Sequence, residues 1–252
     1  MTWSLHFLGV GAANAPQLGS ASAVLERDGQ PLLMIDCGPE AISDALARYG
    51  QPPPALFVTH THFDHVGGME RLFVAEYFDP ARRGRMPMFV PASVVPLLQA
   101  RVADYPDVLA EGGANYWDAF RLIPVSRGFW LDGLWFDVFP VRHHAPGSAW
   151  GVALRGSFVF TGDTRPIPET LARIGDGDEP IAHDCGLHGN PSHSGIEDIE
   201  REYDAALRVR LVLYHYASAA DGEAMAARGY RVARRGQSLP LAAPGALRTP
   251  SA

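Results

Sequence analysis

Four metal-competent side chains fall within six consecutive residues of the sequence, in the segment THTHFDHVGG at 59–68. They are His60, His62, Asp64 and His65, and they directly follow the short apolar run ALFV. Side chains alternate along an extended segment, so the first two histidines point the same way, and a turn through Phe63 lets the other two ligands face a neighbouring point. Imidazole and carboxylate groups suit zinc or a similar first-row ion. One loop can therefore serve two metal ions, although a solvated polar loop is the simpler alternative.

Three more candidate ligands each follow an apolar, strand-like run, and they are His143 in FPVRHHAPG, Asp163 in VFTGDTRP and His215 in LVLYHYAS. We assign His60, His62 and His143 to one metal. The other metal takes Asp64, His65 and His215, and Asp163 bridges the two ions. His144 is the alternative to His143. Two ions held a few ångströms apart can clamp and activate a water molecule.

Each of the later candidates also has an ordinary structural explanation when it is taken alone. The segment TGDT around Asp163 is typical of a turn, and a histidine such as His215 on an apolar strand is more often a hydrogen-bonded core residue. The metal interpretation depends on their occurring together with the cluster at 60–65. Zn²⁺ is the expected ion for both positions. Mn²⁺, Fe²⁺ and Ni²⁺ stay open, because all of them accept histidine and aspartate ligands.

Strands and helices alternate along the chain and must position these side chains. The Asp-Gly pair at 28–29 lies between two β-prone runs, as a hairpin turn would. A helix is predicted from Pro39, a favourable first helical residue, to Gly50. A capping box from Ser194 to Glu197 opens a later helix. Strand runs separated by helices along the whole length predict sheets that helices cover on the outside.

The chain has 252 residues, of which 47% are hydrophobic, and this is enough for one substantial core. We predict a single domain over residues 1–240 and a flexible C-terminal tail over 241–252. The formal net charge of −7 gives no general attraction to nucleic acid. No apolar run approaches a membrane span in length, so we expect a soluble, cytoplasmic protein without a membrane partner. Cys37 and Cys185 are expected as free buried thiols, although one bridge between them is left open.

The segment THTHFDHVGG resembles the His-x-His-x-Asp-His motif of the metallo-β-lactamase-fold superfamily. His143, Asp163 and His215 follow in the order that this superfamily uses, and the resemblance extends from FLGVGAANAP to LYHYAS. It implies an α+β fold, a four-layer αββα sandwich of two mixed β-sheets with helices outside. It also implies a binuclear metal centre at one edge of the two sheets, with hydrolysis by a metal-bound hydroxide.

Within this superfamily, FLGVGAANAPQLGSASAVL and LLMIDCG resemble the ribonuclease Z and phosphodiesterase branch. The segment IAHDCGLHGNPSHSG is similar to the His-Glu and His-Ser pairs that flank the metals in ribonuclease Z, with Asp184 and His193 at the matching positions. A histidine held by a carboxylate can protonate the leaving oxygen of a phosphodiester near neutral pH. We therefore predict Asp64, Asp184 and His193 as catalytic residues, with His193 as the general acid and Asp184 orienting it. Turn and helix-capping roles are the structural alternative for this pair.

The predicted activity is hydrolysis of a small or cyclic phosphodiester by a hydroxide that bridges two metal ions. tRNA is not expected as a substrate, because the chain is acidic, lacks a basic Gly/Pro-rich arm and has Phe63 where ribonuclease Z usually has glycine. Phe63 is shared with superfamily lactonases, so a lactone or thioester hydrolase is the alternative activity. A noncatalytic metal or ligand sensor is the second alternative. The expected partner is a small-molecule substrate, and a homodimer is left open.

Overall fold

The computed structural model describes residues 1–104, 112–174 and 177–245 of the chain. Within these ranges, fourteen strands form two seven-stranded sheets. The strands are β1 Trp3–Gly9, β2 Ser22–Arg27, β3 Gln30–Ile35, β4 Leu56–Phe57, β5 Met86–Pro91, β6 Phe120–Val125, β7 Gly128–Leu131, β8 Leu134–Pro140, β9 Trp150–Leu154, β10 Phe158–Phe160, β11 Ile181–Asp184, β12 Leu211–Tyr214, β13 Arg231–Val232 and β14 Ser238–Leu241.

The first sheet has the strand order β14-β1-β2-β3-β4-β5-β6. The predicted hairpin between β2 and β3 is confirmed, because Asp28 and Gly29 have φ angles of 52° and 73°, the left-handed pair that a tight two-residue turn requires. Strands β3, β4, β5 and β6 run parallel to one another. The carboxyl ends of β3 and β4 therefore lie at the same edge of the sheet.

The second sheet has the strand order β13-β12-β11-β10-β9-β8-β7. Strands β10, β11 and β12 are parallel, whereas β9 is antiparallel to both of its neighbours, β8 and β10. Strand β8 therefore runs in the same direction as β10. The consequence is that the carboxyl ends of β8, β10, β11 and β12 all meet at one edge.

Helices cover the outer faces of both sheets. The α-helices of the described ranges are α1 Ala41–Tyr49, α2 Phe63–Val66, α3 Met69–Tyr77, α4 Val95–Leu98, α5 Pro168–Ile174, α6 Ile196–Glu202, α7 Ala205–Arg208 and α8 Ala219–Ala227. Ile42 of α1 and Phe73 of α3 pack in one apolar cluster with the first sheet, while Ile199 of α6 and Met225 of α8 pack with the second. The predicted α+β class and four-layer αββα sandwich are confirmed.

Aromatic residues from both sheets fill the interior of the sandwich. Phe129 lies 3.9 Å from Phe89, 5.8 Å from Phe57 and 5.0 Å from Phe136, measured between ring centroids, and all three pairs are stacked. These four side chains are almost completely buried. Large stacked rings remove much apolar surface from water, and this burial is the main force that joins the two sheets.

Two predicted helix starts need correction. Helix α1 begins at Ala41 rather than at Pro39, and a turn precedes it in which the Glu40 carboxylate accepts hydrogen bonds from the backbone N–H and the hydroxyl of Ser20. The capping box predicted from Ser194 to Glu197 does not form, and Gly195, which has no side chain to accept a hydrogen bond, directly precedes helix α6. The Asp198 carboxylate accepts the N–H of the capping residue at 195, because the buried Ser194 hydroxyl donates to the Thr164 carbonyl instead.

Cys37 and Cys185 are both buried free thiols, as predicted. No helix in the described part of the chain combines the length and the apolar character that crossing a membrane would need. The domain at 1–240 and the tail at 241–252 stay predictions. Leu241 is the last residue of β14, and residues 246–252 lie outside the described ranges.

Candidate metal centre

All seven predicted ligands meet at one edge of the sandwich, where strand ends of the two sheets face each other. His60 follows β4 of the first sheet, whereas His143, Asp163 and His215 follow β8, β10 and β12 of the second. Their nitrogen and oxygen atoms form compact groups in which all the ligand atoms lie within 4.8 Å of one another. The parallel strand directions of the two sheets explain why residues so distant in sequence become neighbours.

The motif loop is held by backbone hydrogen bonds to the segment after β3. The predicted turn forms as helix α2, with the His65 N–H donating to the His62 carbonyl at 2.9 Å. The Cys37 N–H donates to the His65 carbonyl at 2.7 Å. A Cβ atom on Gly38 would lie 2.2 Å from the Asp64 carbonyl oxygen, so glycine is required for the two segments to approach this closely.

Three imidazole nitrogens converge in the first group. His62 Nδ1 lies 3.1 Å from His60 Nε2 and 3.1 Å from His143 Nε2. Asp163 Oδ2 completes the group at 3.6 Å from His60 Nε2 and 3.9 Å from His143 Nε2. His144, the alternative to His143, is exposed and belongs to none of the groups found among the described residues, although its ring lies 4.7 Å from that of His62.

Two histidines and two carboxylates form the second group. Asp64 Oδ2 lies 3.3 Å from His215 Nε2 and 3.5 Å from His65 Nε2. Asp163 Oδ2 lies 3.3 Å from His215 Nε2, and Asp163 Oδ1 lies 3.2 Å from His65 Nε2. Asp163 is therefore shared by both groups, which is the position expected of a bridging ligand.

The donor atoms fit first-row metal ions in number, type and spacing. Ligand nitrogens about 2.0–2.1 Å from a tetrahedral zinc ion are roughly 3.3–3.4 Å apart, close to the 3.1 Å that separates His62 Nδ1 from His60 Nε2 and from His143 Nε2. His65 Nε2 and Asp163 Oδ1 are buried and have no hydrogen-bond partner. Buried polar atoms are costly without a partner, and a cation between these two would satisfy both.

The charges of the groups also favour a cation. Burial would lower the pKa of His215, but the carboxylates of Asp163 and Asp184 raise that pKa to about 10. Burial opposes protonation of His65 as well, and Asp163 again raises its pKa well above the ordinary value. In contrast, burial lowers the pKa of His143 to about 4. The second group thus requires positive charge near its carboxylates, and divalent ions would supply that charge.

Asp184 and His193, the predicted proton-transfer pair, lie in contact beside the metal groups. His193 Nδ1 is 2.8 Å from Asp184 Oδ2, which also accepts the Thr164 N–H at 2.8 Å. The other carboxylate oxygen is 3.4 Å from His215 Nδ1. Burial opposes protonation of His193, but the hydrogen bond to Asp184 raises its pKa. The side chains of this pair contact each other rather than capping a helix, and Asn190 Oδ1 caps the local turn instead.

A cavity of about 390 Å³ opens above the two groups. Its floor contains His62, Asp64, Asp163, His193 and His215. Residues of the β1–β2 loop and of the segments after β11 and β12 form its walls, and they are Ala12, Ala13, Asn14, Gly186, Leu187, His188, Asn190, Ala217 and Asp221. A cavity of this volume is in the range that small-molecule substrates occupy.

Two further residues beside the candidate ligands were not predicted from the sequence. Asp36, at the end of β3, is fully buried and lies 2.8 Å from His65 Nδ1, and Thr59 lies between Asp36 and His60. Burial raises the pKa of Asp36, and its hydrogen-bond donors oppose that shift. The available signal was an aspartate in DCG directly after an apolar strand, the same pattern that singled out Asp163.

Comparison with known protein families identifies the family of this chain. The family model of the anti-Pycsar protein Apyc1 matches residues 3–239. The chain belongs to this family. One relative, from Saccharibacillus brassicae, is 29% identical over 227 residues, which cover 85% of this chain and 90% of the relative. Another, from Bacillus phage vB_BveM-Goe7, is 31% identical over 240 residues, which cover 85% of this chain and 89% of the relative.

Solved structures share the fold that the motif suggested. A diphosphatase of the PhnP family superposes with a TM-score of 0.76 at 20% identity, covering 95% of this chain and 97% of that one. YhfI from Bacillus subtilis, a metallo-β-lactamase-fold protein, superposes with a TM-score of 0.71 at 13% identity, covering 95% of this chain and 99% of that one. The short form of human tRNase Z superposes with a TM-score of 0.63 at 16% identity, covering 94% of this chain and 98% of that one. The chain thus has the metallo-β-lactamase fold, and a tRNase Z is among its structural neighbours.

Proposed function

We propose that the chain is a binuclear metal-dependent phosphodiesterase that acts on a small or cyclic phosphodiester. One observation carries this proposal. Two groups of candidate ligands share Asp163, and they open into the same cavity as the Asp184–His193 pair. In the proposal, three histidines hold one ion, and they are His60, His62 and His143. Asp64, His65 and His215 hold the other, and Asp163 bridges them.

When bound, two divalent ions would supply Lewis-acid chemistry, lowering the pKa of water and polarising a phosphoryl group. The chain itself handles the leaving group. Because His193 Nδ1 is engaged by Asp184, the proton available to a substrate is the one on Nε2. Asp184 raises the pKa of His193 and so keeps that proton in place near neutral pH. His193 can then donate it to the departing alkoxide oxygen.

The size of the cavity and the net charge of the chain support a small substrate. A volume of about 390 Å³ accommodates a mononucleotide-sized molecule, and the net charge of −7 does not favour a long polyanion. The chain belongs to the family of the anti-Pycsar protein Apyc1, and we propose that it shares the anti-Pycsar role that this name states. Zn²⁺ is the proposed ion at both positions.

The test gives one zinc-loaded preparation a panel of substrates that differ in the bond under attack. Cyclic 3′,5′-mononucleotides and bis(p-nitrophenyl) phosphate represent phosphodiesters, and simple lactones and thioesters represent carboxylic esters. Turnover of the cyclic phosphodiesters, lost after removal of the metal and regained on its return, is the expected result. Metal-stripped protein that retains full activity would contradict the proposal.

A lactone or thioester hydrolase is the second candidate, and it has one specific observation in its favour. Phe63, the residue shared with superfamily lactonases, is 67% exposed between two candidate ligands, where an apolar substrate could meet it. Hydrolysis of the carboxylic esters alone would assign the chain to this class. Absence of turnover on the whole panel with both metals bound would instead favour a noncatalytic sensor.

A further inference from the structure

Asn190 lies at the wall of the cavity and holds the turn that carries His193. Its side-chain oxygen Oδ1 accepts the backbone N–H of Ser192 at 2.8 Å and that of His193 at 3.0 Å. Its own backbone N–H donates to the His193 carbonyl at 3.1 Å and closes the turn. Asn190 is exposed, and it lines the cavity together with His193 and several of the candidate ligands. The Asn190 amide and the proposed proton donor are therefore neighbours in the cavity wall.

The hydrogen bonds of this turn fix the orientation of the Asn190 amide. Both partners of its side chain are backbone N–H groups, which only donate, so the atom that faces them must be the oxygen. Two accepted hydrogen bonds occupy both lone pairs of that oxygen. The NH₂ group remains, and no residue in the described part of the chain accepts a hydrogen bond from it. The Asn190 side chain can therefore offer a bound molecule only N–H donors.

The loop that carries Asn190 is anchored at the metal groups. The His143 ring donates from Nδ1 to the Ser192 carbonyl at 3.0 Å. At the ends of the loop, a Cβ atom on Gly195 would collide with the backbone nitrogen of Gly189. Because glycine has no Cβ, the two ends can touch. These contacts hold the Asn190 amide in place before a substrate binds.

The cavity offers few charged groups that could bind an anion. Among the described residues, its lining contains Asp64, Asp163 and Asp221 but no lysine or arginine. A phosphodiester carries its negative charge on non-bridging oxygens, which only accept hydrogen bonds. Beside the proposed ions and His193, neutral N–H groups must therefore bind these oxygens. Asn190 Nδ2 is such a group, and the turn already fixes its orientation.

We propose that Asn190 is a further catalytic residue, whose Nδ2 donates a hydrogen bond to a non-bridging phosphoryl oxygen of the substrate. The inference rests on the proposed phosphodiesterase function, which places the phosphoryl group between the candidate metal ligands and His193. A donor that is held in place beforehand stabilises the charge of the transition state without reorganising during the reaction. Asn190 thus acts on the phosphoryl group, while His193 acts on the leaving oxygen.

The first test measures kcat/KM of zinc-loaded variants on a cyclic 3′,5′-mononucleotide and on bis(p-nitrophenyl) phosphate. Asn190→Asp keeps an oxygen that can hold the turn and removes the donor. The matched control is Asn14→Asp, which adds the same charge at another residue of the cavity wall. Asn190→Asp should lower kcat/KM by about 10–100-fold on both substrates, the usual range for a hydrogen bond to a charged group. Asn14→Asp should lower it much less.

The two substrates separate this role from mere support of His193. A variant that only misplaced His193 would lose much activity on the cyclic mononucleotide and little on bis(p-nitrophenyl) phosphate, whose leaving group needs no proton. That pattern in Asn190→Asp, or an equal loss in Asn14→Asp, would overturn the inference. Metal content and thermal unfolding of each variant show whether zinc or the fold has been lost instead.

The proposed function and the role of Asn190 can fail separately. Zinc-loaded wild type that hydrolyses neither substrate would refute the phosphodiesterase function and the role of Asn190 with it. Wild type that hydrolyses both substrates, together with an Asn190→Asp variant of equal activity, would refute only the role of Asn190.

A second test replaces one non-bridging oxygen of the cyclic mononucleotide by sulfur, a weak hydrogen-bond acceptor. The two phosphorothioate diastereomers present the sulfur on different sides of the phosphorus. For one diastereomer, the ratio of kcat/KM between the oxygen and the sulfur substrate should be smaller in Asn190→Ala than in the wild type, because the variant has no donor to lose. For the other diastereomer the ratio should stay the same. Unchanged ratios for both diastereomers would contradict the proposal, even if the variant is less stable.

Discussion

The first sheet supplies its four candidate ligands from one segment, 60–65, whereas the second sheet supplies three from separate loops after β8, β10 and β12. The segment at 60–65 is held by short-range hydrogen bonds and by the turn after β3. The loops of the second sheet come together only because their strands are aligned. The second sheet also adds Asp184 and His193, which lie with Asp163 and His215 in a third cluster of metal-competent side chains.

The comparison separates two tasks at one edge of the sandwich. The first-sheet half offers candidate ligands and two buried residues in hydrogen-bond contact with them, Asp36 and Thr59. The second-sheet half offers candidate ligands and, in addition, the proposed proton donor His193 with its carboxylate partner Asp184. Changes in the first half should therefore remove metal, while selected changes in the second half should remove activity and leave the metal in place.

The largest effect is expected from His60→Ala combined with His62→Ala in the first-sheet half. The double variant loses two of three imidazoles around one ion, so at least one equivalent of metal and nearly all hydrolysis should disappear. Elemental analysis after gel filtration and thermal unfolding of the same sample measure both. Full metal content in a folded double variant would show that the ligand assignment is wrong.

His143→Ala and His144→Ala form a matched pair in the second-sheet half. His143 is 2% exposed and its Nε2 faces the first group, while the neighbouring His144 is exposed. His143→Ala should lower metal content, and His144→Ala should leave it unchanged. The opposite outcome in the same elemental analysis would transfer the ligand role to His144.

His193→Ala should separate chemistry from metal binding. Both metal equivalents should stay, and kcat on a cyclic mononucleotide should fall by about 10²–10⁴-fold, the usual contribution of a general acid. The loss on bis(p-nitrophenyl) phosphate should be smaller, because p-nitrophenolate leaves without protonation. Equal losses on both substrates would argue against proton donation by His193, and unchanged activity would remove its role altogether.

Asp184→Asn should produce the smallest effect, a shift in the pH profile. The carboxylate raises the pKa of His193, and a general acid works only while protonated, so activity is lost as pH rises through that pKa. Without the charge of Asp184, the alkaline limb of kcat should move to lower pH. Metal content must be checked in parallel, because Asp184 also lies 3.4 Å from His215 Nδ1. An unmoved limb with full metal content would contradict the pairing.

The difference between the contiguous ligands of the first sheet and the separate ligands of the second also explains what the sequence could predict. The segment at 60–65 is recognisable because its ligands are contiguous and follow an apolar strand. His143, Asp163 and His215 could be identified as candidate ligands for two reasons. Each follows another such strand, and their order resembles that of a known superfamily. The αββα layers followed from the same resemblance and from the alternation of strands and helices.

Other features depend on contacts that no local pattern encodes. Asp36 and Thr59 gain their positions from the parallel pairing of β3 with β4. Ser194 was predicted to cap a helix, but the folded chain buries its hydroxyl against the Thr164 carbonyl, 30 positions away. Tertiary partners of this kind compete with local capping, and they displaced the predicted helix start by one residue.

The most direct test of the central claim is metal content per chain, measured by elemental analysis on wild-type protein reconstituted with excess zinc and then freed of unbound metal. The shared position of Asp163 between two ligand groups predicts two equivalents per chain. A single equivalent would contradict the binuclear centre. No retained metal in a correctly folded sample would contradict the metal centre as a whole.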